Sequence, residues 1–178
     1  MTPQTKPRTY ADDRGWSDRY IPAIKRILGG YLLTETPDLI DMTEAADLML
    51  ATVGSKRIAC RIRANHYLHK YPTDITLRSK RPSGVPTELD KILEGCADWM
   101  FYGFAGKDGE RLSAYYLLDL DIFRRTVEWD VMGDGWTSRK VNKDGTEFLV
   151  INLATFPDPR IIIGSDAGPG IPIVRKTS

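Results

Sequence analysis

Apolar residues recur along this chain at two spacings, one helical and one alternating, and the switches between them mark the elements. Tyr20, Ile24, Ile27, Leu28 and Tyr31 share one helical face, so the spacing predicts a helix over 18–31 with Ser17 or Asp18 as N-cap and Gly29-Gly30 as the stop. Pro22 holds the start near Asp18, because only the first turn accepts a residue without an N–H. "DLMLATVGSKRIACRIR" then alternates and predicts a hairpin of strands near 47–53 and 56–63, with "DITLR" as a further strand after the Tyr71-Pro72 break.

Past the "RPSGVP" loop, Thr87 and Asp90 have the spacing of a capping box. Leu89, Ile92, Leu93, Cys96 and Met100 follow as an apolar stripe, which predicts a helix over 87–97 packed on a sheet. "DWMFYGF" and "LSAYYLLDL" read as strands on either side of a Lys107-Asp108-Gly109 turn. "DIFRRTVEW" reads as a short helix, "SRKVNKDGTEFLVINL" as a second hairpin turning around Asp144-Gly145, and "RIIIGSD" as one more strand.

The expected fold class is therefore α/β of the α+β kind, a central mixed sheet of about five strands flanked by helices. Residues 1–16 are expected to be a flexible lead-in to one α/β domain over 17–178, with a core at 17–128 and a C-terminal hairpin extension at 129–178. A chain of 178 residues suits one hydrophobic core, and no internal repeat points to a solenoid or propeller.

Composition narrows the class only slightly. With 42% hydrophobic and 28% charged residues the chain is ordinary for a globular domain. No apolar run approaches the roughly eighteen residues that cross a bilayer, and "MTPQTKPRTYADDRG" holds no hydrophobic signal segment, so a cytoplasmic location without membrane contact is expected. Cys60 and Cys96, the only cysteines, make no disulfide framework and are expected as reduced core residues.

The distribution of charge says more than its sum of +1. Between Gly29 and Ser55 there is no Lys or Arg, while Glu35, Asp38, Asp41, Glu44 and Asp47 accumulate. From Lys56 to Arg81 the sign reverses, and Lys56, Arg57, Arg61, Arg63, Lys70, Arg78, Lys80 and Arg81 meet a single acid, Asp74. Such a division steers a polyanion to one face or neutralises itself in surface pairs. On the basic strand, Ile58, Cys60 and Ile62 share one face and Arg57, Ala59, Arg61 and Arg63 the other.

Other constellations weigh less. Cys60, His66, His69 and Cys96 match no common zinc spacing, and "GSDAGPGIP" lacks the Gly-Lys-Ser/Thr of a phosphate loop. Trp99, Phe101, Tyr102, Phe104, Tyr115 and Tyr116 alternate on neighbouring strands, where core packing is commoner than stacking on bases.

Helix, three strands, helix, strand is the order in the core of the restriction-endonuclease-like, or PD-(D/E)XK, nuclease superfamily, which residues 17–125 resemble with an incomplete motif. The chain also resembles small proteins of tailed phages and prophages through "ADLMLATVGSKRIACRIR", "RPSGVPTELDKILEGCADWMFYGF" and "LLDLDIFRR". The resemblance implies an αβββαβ core and a possible endonuclease hydrolysing DNA phosphodiesters with Mg²⁺, a hard cation that takes carboxylates and water and activates the latter. Asp47 fits the first position of the motif. Glu-x-Lys would fall on Arg61-Ile62-Arg63 or Ala59-Cys60-Arg61, neither of which offers a carboxylate.

In branches of the superfamily the glutamate sits on the following helix, which here carries Glu88 and Lys91. The implied hydrolytic site is Asp47 and Glu88 on the metal, with Arg61, Arg63 and Lys91 on the scissile phosphate. Glu88 equally suits the first turn of a helix for the sake of the dipole. A two-residue turn at Gly54-Ser55 would set Asp47 opposite Ile62, and a longer turn or bulge would set it opposite Arg61 or Arg63. The alternative is a catalytically inactive relative that binds nucleic acid or a host protein. In both readings Arg57, Arg61, Arg63, Arg78, Lys80 and Arg81 are the expected nucleic-acid contacts, DNA is the expected partner, and a homodimer is compatible.

Overall fold

The computed structural model describes residues 10–29, 33–35, 48–50, 55–129 and 135–166. It is an α+β fold whose strands form two sheets rather than one. A mixed sheet of six strands, sheet A, runs in the order β1 (Leu33–Glu35), β2 (Leu48–Leu50), β3 (Lys56–Arg63), β5 (Trp99–Ala105), β6 (Leu112–Asp119), β9 (Ile162–Asp166). Only β3 and β5 are parallel. Sheet B is antiparallel, in the order β4 (Asp74–Lys80), β8 (Glu147–Asn152), β7 (Thr137–Val141).

The sequence expectation of three successive strands in one sheet is corrected at β4. It does not extend the hairpin but crosses to sheet B, and β5 takes the place beside β3. Alternation in "DITLR" shows that a strand forms and which residues share a face; its partner is chosen by β8, where Ile75 meets Ile151 and Leu77 meets Leu149. The hairpin register also differs from both expected ones. Leu48 lies opposite Ile58 and Leu50 opposite Lys56, whereas a turn at Gly54-Ser55 would have set Leu48 near Arg61. Asp47, Asp38, Asp41 and Glu44 lie outside the described residues.

Two helices precede the sheet, α1 (Tyr10–Asp18) and α2 (Ile21–Ile27). The one expected from residue 18 starts at Ile21, with Tyr20 as N-cap and Pro22 in the first turn, so neither Ser17 nor Asp18 caps it. Trp16, Tyr20, Ile21, Ile24 and Leu28 cover one face of sheet A, the face of Ile58, Cys60, Ile62, Phe101, Ala105 and Leu117. The opposite face, with Ala59, Met100, Tyr102, Phe104, Tyr116 and Leu118, packs against sheet B and three helices. These are α3 (Asn65–Lys70), α4 (Glu88–Leu93) and α5 (Leu120–Trp129).

α4 opens as the sequence predicts: the Thr87 hydroxyl accepts from the Asp90 N–H, and the Asp90 carboxylate accepts from the Thr87 N–H. It ends short of the expected residue 97, because Gly95 turns the chain at φ 80°. Ile92 is therefore buried and Leu89 packs against the core, but Leu93 is 44% exposed. Cys60 and Cys96 form no disulfide and are half-buried rather than fully buried, Cys60 packing against the core under α1 and α2. Among the described residues no helix is long and apolar enough to cross a membrane.

Candidate nucleic-acid cleft

β3 delivers its arginines to the inner face of sheet A, where they meet sheet B. The reason is the alternation itself: Ile58 and Ile62 are drawn under α1 and α2, so Arg61 and Arg63 must emerge on the other side. There Arg61 is mostly covered, its side chain 19% exposed, and it donates to the Glu88 carboxylate. Burial alone would push its pKa down; the Glu88 charge and the Tyr102 hydroxyl beside it turn the net shift upward, so Arg61 stays a cation.

Glu88 has a second partner. The oxygen that accepts from Arg61 also accepts from the Arg78 N–H at 3.2 Å. Two residues earlier on β4, the Thr76 N–H donates to the Tyr102 hydroxyl at 3.3 Å, and the two hydroxyls lie 3.1 Å apart. β4 is the edge strand of sheet B, so these donors are its open side. Sheet B thus stands with that edge against sheet A, capped by a tyrosine of β5 and a glutamate of α4.

One side of sheet B, with Ile75, Leu77, Leu149 and Ile151, closes the core. The other side, with Thr76, Phe148 and Val150, forms the wall of a cleft of about 410 Å³. Arg63 enters from β3, donating to the Thr76 hydroxyl at 2.8 Å and lying 4.0 Å from the Tyr67 ring centre. Tyr67 and Tyr71 enter from α3 and the residue after it, and Lys140 from β7. Arg139 lines both this cleft and the groove beyond sheet B. Asp74 is the carboxylate of the lining, and burial raises its pKa.

The candidate site residues are therefore scattered among different tasks. Arg61 and Glu88 are brought together, but as an ion pair. Arg57 donates to the Gly95 carbonyl at 2.6 Å and lies 3.4 Å from Asp98, joining the start of β3 to the start of β5. Arg78 has its guanidinium 5.8 Å from the Phe148 ring centre, with Arg61 at 5.7 Å. Lys80 pairs with Glu147 at 3.1 Å, Arg81 follows β4 half-buried, and Lys91 sits in the last turn of α4. Of the six expected nucleic-acid contacts, Arg63 lines the cleft.

Asp47, the other expected Mg²⁺ ligand, lies outside the described residues, and among those described no group of three His, Cys, Asp or Glu converges as a metal site. Tyr67 and Tyr71 escaped the sequence reading because "NHYLHK" buries only Leu68 and shows no helical stripe. Phe101, Tyr102, Phe104 and Tyr116 are buried, as core packing predicts. The chain matches no family model, no curated protein and no solved structure.

Proposed function

We propose that the protein binds nucleic acid through the cleft between its two sheets and does not cleave it, as a non-catalytic relative of the PD-(D/E)XK nucleases. The observation that carries the reading is the set of Arg63 and Lys140 beside the rings of Tyr67 and Tyr71 in one concave site. Cations neutralise phosphates and release counterions, while ring faces accept unstacked bases. The chain order α2, β1, β2, β3, α3, β4, α4, β5 contains the helix, strands, helix, strand succession that supports the relationship, and it diverges where β1 and α3 are inserted and where β4 departs into sheet B. Hydrolysis is disfavoured by Glu88, whose carboxylate is committed to Arg61 and the Arg78 N–H.

The test is a salt titration of binding to fluorescently labelled single strands, followed by anisotropy. Replacing Arg63 and Lys140 together by Ala should weaken binding and flatten the log–log salt slope by about 1.4, for two contacts to a single strand. Equal affinity and slope in the double variant would remove the cleft from the interface. Mg²⁺-dependent cleavage by the wild type that disappears in Asp47→Asn would install the hydrolytic reading in its place.

A further inference from the structure

We propose that the cleft receives one unpaired nucleotide at a time and selects guanine through the carboxylate of Asp74, an inference that rests on the nucleic-acid reading above. A volume of about 410 Å³ belongs to the range of small-molecule sites. A duplex keeps its bases stacked and paired between two phosphate backbones, so the ring-lined wall is reachable only by a base that has left the stack.

Asp74 is the feature that a site for phosphate alone does not account for. It is the single acid among eight cations between Lys56 and Arg81. It opens β4, opposite Asn152, and lines the same cleft as Arg63 and Lys140. Among the described residues no ion pair or hydrogen bond engages its carboxylate, and burial is the sole cause of its raised pKa. A negative group in this position repels phosphate, so it must meet the part of the ligand that donates hydrogen bonds.

That part is the base edge. Guanine presents N1–H and N2–H₂ side by side, two parallel donors that match the two oxygens of a carboxylate. Adenine and cytosine offer an amino group with no adjacent second N–H, and uracil offers one imino N–H. The cleft therefore combines two cations for phosphate, Arg63 beside Thr76 and Lys140 across sheet B, with the ring of Tyr71 and one acceptor pair that matches guanine.

The experiment is isothermal titration with GMP, AMP, CMP and UMP at neutral pH and low salt. GMP should bind about tenfold more tightly than UMP, the size expected for one bidentate base contact. Asp74→Asn should bring GMP down to the level of UMP, while Lys140→Ala should weaken all four together. Thermal melts of both variants establish that they are folded. Equal binding of the four nucleotides by the wild type, or a guanine preference that survives Asp74→Asn, overturns the selection while leaving a phosphate-binding cleft. Absence of binding to every mononucleotide and to labelled single strands overturns the nucleic-acid reading and the guanine site with it.

Discussion

Glu88 holds Arg61 with the same carboxylate oxygen that accepts the Arg78 N–H, so one side chain of α4 ties β3 of sheet A to the open edge of β4 in sheet B. The basic strand thus meets an acid from outside the acidic block of residues 29–55, while Asp47, the acid expected from the hairpin, lies outside the described residues.

Removing Glu88 strands two donors at once. Both side chains are about a fifth exposed, which lowers the cost below that of a fully buried pair. Glu88→Ala should destabilise the protein by about 3 kcal/mol, and Arg61→Ala by less, because the Arg78 N–H keeps its acceptor. Urea denaturation of both variants checks the order; a larger loss in Arg61→Ala would mean that the cap on β4 contributes little.

Tyr102 is almost wholly buried, and its hydroxyl is the partner of the Thr76 N–H. Tyr102→Phe keeps the ring and leaves that donor unmet, so a loss of about 1–2 kcal/mol is expected. Amide exchange at Thr76 should accelerate in the variant; unchanged protection would show that the hydroxyl is not what shields it.

The elements were legible where chemistry is local. Thr87 and Asp90 are three residues apart and cap each other, the Asp144-Gly145 turn joins β7 to β8, and Pro22 marks the first turn of α2. The join between the sheets was not, because it depends on partners far along the chain. Glu88 looks alike in sequence whether it favours a helix dipole, binds a cation or caps a strand, and only the approach of β4 and β3 decides among them. Asp74 stood out as the one acid of the basic block, but its place in the same cleft as Lys140 arises from the pairing of β4 with β8 and of β8 with β7.

The two ends of the α4 stripe should behave differently. Ile92 is fully buried, so Ile92→Ala should cost about 2–5 kcal/mol. Leu93 is 44% exposed, and Leu93→Ala should cost under about 1 kcal/mol. Similar denaturation midpoints for the two variants would contradict the facing of the helix.

Asp74 gives stability a distinct pH dependence. Its folded pKa lies above the unfolded value, so the folded state binds the extra proton and the group disfavours folding once the pH has risen through both values. Asp74→Asn should therefore melt higher than the wild type at neutral pH, with the gap closing as the pH falls through the carboxylate range. The wild-type preference for GMP should fade over the same acid range, as Asp74 takes up its proton. A melting gap that widens in acid would reverse the sign assigned to this group.

A backbone ladder fixes the angle between neighbouring strands, whereas among the described residues sheet A and sheet B share none. Where β4 abuts sheet A, Tyr102 and Glu88 supply rotatable bonds in place of peptide pleats. The width of the cleft is thus a side-chain property. Substitutions at these two positions can change the spacing of the walls while every strand keeps its register, so the shape of the cleft can vary independently of the sheets that form it.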